Sequence, residues 1–274
     1  MLTASQRDRI SVVLVSPRNP LNIGAVARAM ANFGFSHLTV VAPYEPHWRE
    51  ARSAIGAPAL LANAIETASL SEAIGDCALV LGTGSLTHRK PEQPVLRIDE
   101  LAPLVTQRLD PGGSSHPTGR IAPTGRIALV LGPEKHGLTR EDLSFCHVLV
   151  EIPTDPAQPS MNLGQAAAVC LYELATRAGL PDPRSSQIPI AIAPALESNE
   201  VAPPSNQLDV LAALIEEVMV AAKYSPENMQ EANRHDLRLM LRRLHLNALD
   251  RRRILGIFRR ILWRLHRDDR NVTL

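Results

Sequence analysis

Apolar residues fall into five short runs, each closed by a turn former: Ser11–Val15, Leu38–Ala42, Ala78–Leu81, Ile127–Leu131 and Val148–Ile152. Their length and β-branched content predict buried strands. The first breaks at Ser16-Pro17-Arg18-Asn19-Pro20, the second at Pro43, the third at Gly82-Thr83-Gly84-Ser85, the fourth at Gly132 and the fifth at Pro153. Between the runs the spacing becomes helical. Ile23, Val26, Ala27, Met30 and Phe33 share one face of a helix, with Asn22 as the expected N-cap and Gly34 as its C-terminal residue. A short helix is expected over Trp48–Ile55 and another over Ser69–Ile74, capped by Ser69 or Ser71, while 60–68 reads equally as helix or strand. After Ser160, the residues Leu163, Ala166, Ala167, Cys170, Leu171 and Leu174 mark a helix at about 162–178 with an unusually small face.

Alternating strands and helices predict an α/β fold with a parallel sheet. In such sheets ligands sit outside the carboxyl ends of the strands. Strands ending at Gly132 and at Ile152–Pro153, with a helix starting near Ser160, therefore frame a candidate pocket. From Pro181 to Pro204 the chain holds six prolines and no period, the signature of a linker. Three amphipathic helices follow. Their apolar positions include Leu208, Leu211, Ile215 and Val218, then Leu237, Met240, Leu241 and Leu244, then Ile254, Ile257, Phe258, Ile261, Leu262 and Leu265. The expected organisation is a domain over 1–180, a linker over 181–206 and a helical extension over 207–274.

The chain has 274 residues, 45% of them apolar and 21% charged. Aromatics are scarce at 3%, so the core must rest on Leu, Val, Ile and Ala. Three cysteines, Cys77, Cys146 and Cys170, match no zinc spacing and make a poor disulfide framework, so neither metal nor disulfide is expected. No apolar run approaches the roughly 20 residues of a membrane span, and Met1–Arg9 lacks the apolar core of a signal peptide. A cytoplasmic protein is expected.

The formal net charge is only +1, yet residues 234–274 hold twelve arginines against four acids. Arg252, Arg259, Arg260 and Arg267 fall opposite the apolar stripe of the last helix. A solvated face usually mixes signs, so phosphate binding is the favoured reading, with a dimer interface as its competitor. Elsewhere, Gly24 lies in the first turn of a helix, where glycine costs about 1 kcal/mol against alanine. It implies close approach by backbone, substrate or a partner chain. Arg28 lies opposite the apolar stripe of the same helix. The loop Gly82–Ser85 reads as a ligand cradle or an ordinary strand-end turn, and it fails the dinucleotide fingerprint, as Leu86 and Thr87 follow. The hexapeptide Pro-Thr-Gly-Arg-Ile-Ala occurs at 117–122 and again at 123–128, most simply as a tolerated surface insertion.

Three blocks follow expected strands in order: Asn22-x-Gly24-x-x-x-Arg28, Gly132-x-Glu134-x-x-Gly137-Leu138 and Ser160-Met161-Asn162-Leu163. Together they closely resemble the signature motifs of the TrmH-like SPOUT RNA methyltransferases, over about residues 10–178. With its helical extension the chain most resembles the TrmJ branch, which 2′-O-methylates nucleotide 32 of the tRNA anticodon loop. The resemblance implies a parallel-sheet SPOUT fold with a C-terminal trefoil knot, a homodimer with active sites across its interface, S-adenosylmethionine as co-substrate and tRNA as partner. It maps the cofactor loops onto Thr83, Gly84, Ser85, Gly132, Ile152, Pro159, Ser160 and Met161. Leu81, Ile152 and Met161 would form the adenine slot, and Gly132 would let the backbone approach the cofactor closely. Arg28 would act in the partner's pocket, with Asn22, Glu134, Ser160 and Asn162 positioning it and the ribose. Glu134 would pair with Arg28 or cap the Gly137 turn. Pro159, the glycine at the centre of Thr83–Ser85 and the tandem repeat depart from the branch's usual pattern without removing a signature side chain. An rRNA 2′-O-methyltransferase on the same fold and a non-catalytic RNA-binding knot protein are the alternatives. The second has no need of Asn22, Arg28, Glu134, Ser160 and Asn162 together.

Overall fold

The computed structural model describes residues 2–84, 91–109, 125–177, 204–244 and 246–272. Ser85, the first copy of the hexapeptide and most of the proline-rich stretch lie outside them. After a single capped turn, α1 (Ala4–Arg7), come β1 (Ile10–Val15), α2 (Pro20–Phe33), β2 (His37–Val41), α3 (Pro58–Ala62), β3 (Ile65–Thr67) and α4 (Leu70–Ala73). Then follow β4 (Cys77–Thr83), β5 (Val95–Arg97), α5 (Ile98–Leu109), β6 (Arg126–Leu131), α6 (Arg140–Ser144), β7 (Val148–Glu151) and α7 (Leu163–Arg177). The C-terminal helices are Ser205–Ala221, Gln230–Arg243 and Ala248–Val272.

All five expected strands are present, and each pairs in parallel with its neighbours in a seven-stranded sheet of order β3-β2-β1-β6-β4-β7-β5. The segment 60–68 resolves into both alternatives, the end of α3 and then β3. The expected helix over Trp48–Ile55 is only a 3-10 turn, Trp48–Glu50. Trp48 is buried in the core and donates its indole N–H to Glu66, so a single anchored side chain replaces an amphipathic face. β5 and α5 had no counterpart in the hydrophobic pattern.

The cap of α2 also differs from the one expected from the sequence. Asn19, not Asn22, caps the helix: its side chain accepts from the Leu21 amide, and Pro20 occupies the first turn, where a missing N–H costs nothing. Asn22 thus lies inside the helix with its amide free for other work. Gly34 closes the helix in the left-handed region, φ +74°.

One face of the sheet carries the larger core, including Val12, Leu14, Leu81 and Leu129 together with Ile23, Met30, Leu101, Cys170 and Leu174 from α2, α5 and α7. The other face is smaller, with Val13, Val80, Val130, Phe145 and Cys146. α2 and α7 touch closely. A Cβ on Gly164 would press into Ala25, and Phe33 and Tyr172 meet edge to face at 5.9 Å.

The C-terminal helices form their own small cluster of Leu211, Ala212, Ile215, Leu237 and Leu241, with Ile254, Leu255 and Phe258 against it. Ile257 and Ile261, expected in the apolar stripe of the last helix, are exposed. The first of these helices starts at Ser205, inside the stretch read as linker, because Ser205 is buried and donates to the Cys77 carbonyl. Arg242 is 3% exposed. It donates to the Phe145 carbonyl and to Asp209, each at 3.1 Å, while Asp209 also accepts from Ser71. The helical extension is therefore docked on the smaller sheet face. No described helix is long and apolar enough to cross a membrane.

Candidate active site

A cleft of about 300 Å³ opens at the carboxyl ends of β4, β6 and β7. Its lining includes Thr83, Gly84, Gly132, Glu134, Ile152, Pro159, Ser160 and Met161, all singled out in the sequence. Leu131, Lys135, His136, Thr154, Leu163 and Ala166 also line it and went unrecognised there as site residues. Lys135 and His136 lie inside the second motif, Leu163 ends the third and Leu131 adjoins the second, whereas Thr154 and Ala166 lie outside the motifs and carry no such signal. Leu81 is fully buried in the core and is not part of the cleft lining: it pairs in register with Leu129, two residues short of the end of β6, and Leu131 at that end supplies the wall instead.

Two loops shape the cleft. The first, 132–138, folds back on itself: the Gly137 amide donates to the Pro133 carbonyl at 2.9 Å, and Gly137 takes φ +63°. A Cβ on Gly132 would run into the Leu138 nitrogen and the Gly137 carbonyl carbon. Gly132 is thus required by the protein's own turn, and it lines the cleft as well. Gly24 has a similar explanation, because a Cβ there would collide with Ser53 and Ala54. In the second loop, Thr154 donates its hydroxyl to the Pro159 carbonyl at 3.2 Å, closing 154–159 into a short arch.

A hydrogen-bond chain joins the three motifs. Asn162 donates its amide to the Asn22 side-chain oxygen at 2.9 Å, and Asn22 donates to Glu134 Oε1 at 2.8 Å. Asn162 Oδ1 accepts from the Gly164 amide at the start of α7. Glu134 also accepts from the Arg18 amide at 3.1 Å and the Asn19 amide at 3.2 Å. Partial burial raises its pKa, but these hydrogen bonds, that from Asn22 foremost, outweigh burial and hold the carboxyl below its usual 4.5. Within the chain Glu134 therefore pairs neither with Arg28 nor with the Gly137 turn. Asn22, Glu134 and Asn162 position one another.

Arg28 is exposed on α2 and lies outside the cleft lining, with no hydrogen bond or ion pair to another described residue. Ser160 lines the cleft, exposed, with its hydroxyl uncommitted among the described residues.

The arginines of the C-terminus divide in two. Arg234 pairs with Glu216, Arg238 with Glu141, Arg242 with Asp209 and Arg243 with Glu92. These four hold the helices to each other and to the sheet domain, so the positive excess there is partly neutralised. Arg252, Arg259, Arg260 and Arg267 are exposed on the last helix. Arg260 and Arg267 lie over the Trp263 ring at 4.3 and 5.1 Å.

Residues 9–172 match the SpoU rRNA methylase family. Over 168 residues the chain is 40% identical to the tRNA (cytidine/uridine/adenosine-2′-O-)-methyltransferase TrmJ of Pseudomonas aeruginosa, a match that spans 61% of this chain and 60% of that protein's length. It is 33% identical over 190 residues to the tRNA (cytidine/uridine-2′-O-)-methyltransferase TrmJ of Pectobacterium atrosepticum, covering 67% of this chain and 73% of the relative. The crystal structure of TrmJ from Z. mobilis ZM4 superimposes with a TM-score of 0.72 at 24% identity, over 92% of this chain and 98% of that one, and so shares the fold. The match over more than half its length, with all three motifs joined at one cleft, shows that the chain belongs to the SpoU rRNA methylase family.

Proposed function

We propose that this protein transfers the methyl group of S-adenosylmethionine to the 2′-hydroxyl of a tRNA ribose, at nucleotide 32 of the anticodon loop. The observation that carries the reading is the hydrogen-bond chain Asn162–Asn22–Glu134, which draws the three motifs to one cleft at the carboxyl edge of a parallel sheet. The family supplies the chemistry, the activities of the TrmJ relatives favour tRNA, and nucleotide 32 rests on the resemblance to the TrmJ branch.

The cleft suits the co-substrate. Leu131, Ile152, Met161, Leu163 and Ala166 offer an apolar slot for adenine, and Gly84 leaves open space where a Cβ would stand. Lys135 gives the methionine carboxylate a counter-charge. Once bound, S-adenosylmethionine supplies a methyl already activated by its sulfonium. What remains for the protein is to hold the ribose and help its hydroxyl lose a proton. Ser160 offers a hydroxyl to the ribose. Arg28 brings a positive charge and a planar fork of donors, not a base. It orients the ribose phosphate and lowers the hydroxyl pKa electrostatically, and a phosphate oxygen takes the proton.

Because Arg28 lies outside its own cleft, it serves the cleft of a second copy, so the working unit is a homodimer with sites across the interface. The C-terminal knot belongs to the same reading; its support is a strand order that places β6 between β1 and β4, with β7 beyond β4. Trp263 and the exposed arginines of the last helix serve the tRNA body.

The test is methyl transfer from labelled S-adenosylmethionine to unmodified total tRNA, followed by nucleoside mapping. A 2′-O-methyl at nucleotide 32 is expected. Product at another tRNA position corrects the site, and product on ribosomal RNA alone replaces the substrate. No product on either, with the cofactor bound, overturns the enzymatic reading in favour of RNA binding.

A further inference from the structure

Beside the cleft lies a pair of side chains that neither the motif chain nor the cofactor slot uses. Arg18 is exposed on the loop after β1, and Tyr44 is 71% exposed on the loop after β2. The guanidinium lies over the Tyr44 ring, 5.7 Å from its centroid. Both loops leave the carboxyl edge of the sheet, the edge that holds the cleft. Each leaves through a non-glycine residue in the left-handed region, Ser16 and Ala42, both at φ +43°. Such strain is kept where surrounding structure over-determines it, often at functional sites.

The pair is not needed to hold these loops. The Tyr44 amide already donates to the Pro17 carbonyl at 3.2 Å, and the Ser16 amide to the Val41 carbonyl at 2.8 Å. The Arg18 amide is fixed by Glu134 at 3.1 Å. Backbone bonds thus set both loops, and the two side chains are left projecting. Arg18 forms no ion pair with a described acid, not even with Glu45 beside Tyr44, and the one charge next to its backbone, Glu134, is already shared among three donors. Lys135, on the cleft mouth one residue beyond Glu134, is likewise unpaired among the described residues. An aromatic face with uncommitted cations on a single rim is the chemistry that takes a nucleic-acid strand: the ring stacks on a base and the cations meet phosphates.

We propose that Arg18 and Tyr44 form a subsite for the nucleotide flanking the methylated one, Tyr44 stacking on its base and Arg18 contacting its phosphate. This rests on the RNA-methyltransferase reading above and names where the strand crosses the rim. Because Glu134 and Pro17 hold the loops through backbone atoms, Arg18→Ala and Tyr44→Ala remove the side chains and leave the loop anchors intact.

The full-length protein is assayed for methyl transfer against rising tRNA concentration, and for binding of fluorescent tRNA across a salt series. Tyr44→Ala is expected to raise KM for tRNA about tenfold, and Tyr44→Phe to stay within about twofold of the parent. Arg18→Ala is expected to raise KM similarly and to flatten the slope of log K against log salt by roughly 0.7, one phosphate's share. The affinity for S-adenosylmethionine and kcat stay within about twofold in all three variants. Unchanged KM and salt slope in an active enzyme overturn the subsite alone, as does an equal loss of cofactor affinity. If the parent methylates no RNA yet binds tRNA through Arg18 and Tyr44, the enzymatic reading falls and the pair is an RNA contact with no methylated nucleotide to flank, so the subsite as stated falls with it. If it binds no tRNA, both fall.

Discussion

Glu134→Gln is the substitution that best separates positioning from chemistry. The carboxylate accepts three hydrogen bonds, from the amides of Arg18 and Asn19 and from the side chain of Asn22. Glutamine keeps the shape but turns one oxygen into an NH₂ group that faces a donor. At least one bond is lost and the rest lose their charge assistance. A hydrogen bond to a charged group contributes about 1.5–3 kcal/mol, and solvent access at this exposed residue favours the lower figure, so the expected loss is about 1.5 kcal/mol for glutamine and about 3 kcal/mol for alanine. Urea unfolding at neutral pH reads it as a lower midpoint at unchanged slope. The pH dependence has a definite sign. The folded pKa lies below 4.5, so the contribution is complete above 4.5 and disappears as pH falls through the folded value. The gap between parent and glutamine variant should therefore stay constant near neutrality and close in acid. A variant as stable as the parent but with kcat abolished would refute the positioning role, since it would place Glu134 on the substrate.

Four other outcomes can be checked. Arg28→Ala should abolish methyl transfer with cofactor affinity unchanged. Co-expressed with a subunit whose cleft is dead, it should recover about a quarter of the parent activity, since half the dimers then carry one complete site; no recovery would mean that Arg28 acts in its own chain. Gly132→Ala should cost about 3 kcal/mol and weaken S-adenosylmethionine binding by calorimetry, because the added Cβ meets backbone atoms of Gly137 and Leu138. Arg242→Met should cost about 3 kcal/mol in thermal unfolding and release the C-terminal helices to proteolysis, with part of the loss restored by adding Asp209→Asn. Replacing Arg252, Arg259, Arg260 and Arg267 by glutamine should lower the salt slope of tRNA binding by about 3 and spare thermal stability, as these side chains are exposed.

Hydrophobic pattern alone located the strands that build the site, since buried parallel strands are short continuous apolar runs. Two of the three motifs supply Gly132, Glu134, Ser160 and Met161 to the cleft wall, because the second directly follows the end of β6 and the third follows β7 after a short loop that also lines the cleft. Local signals failed where a contact from far along the chain overrode them. Asn22 is a good cap by type, yet Asn19 caps the helix and Asn22 is taken by Glu134, 112 residues away. The arginine run looked like one phosphate-binding surface. Four of its members are instead spent on acids from other elements, such as Glu141 on α6 and Glu92.

The order of apolar runs, their glycine and proline endings and the three motifs are properties of the sequence by itself, because each depends on neighbours a few residues away. They determined an α/β chain of the SpoU rRNA methylase family, with its site at the strand ends. Only the tertiary structure decided which side chains are free to act. Pairing β6 between β1 and β4 brings Glu134 against Arg18, Asn19 and Asn22, so that three motif side chains are consumed in holding one another. The same folding leaves Arg28, Ser160, Arg18 and Tyr44 exposed and uncommitted to other charges. Whether a polar group binds its own chain or a ligand depends on what lies within hydrogen-bond reach, and long-range packing sets that distance.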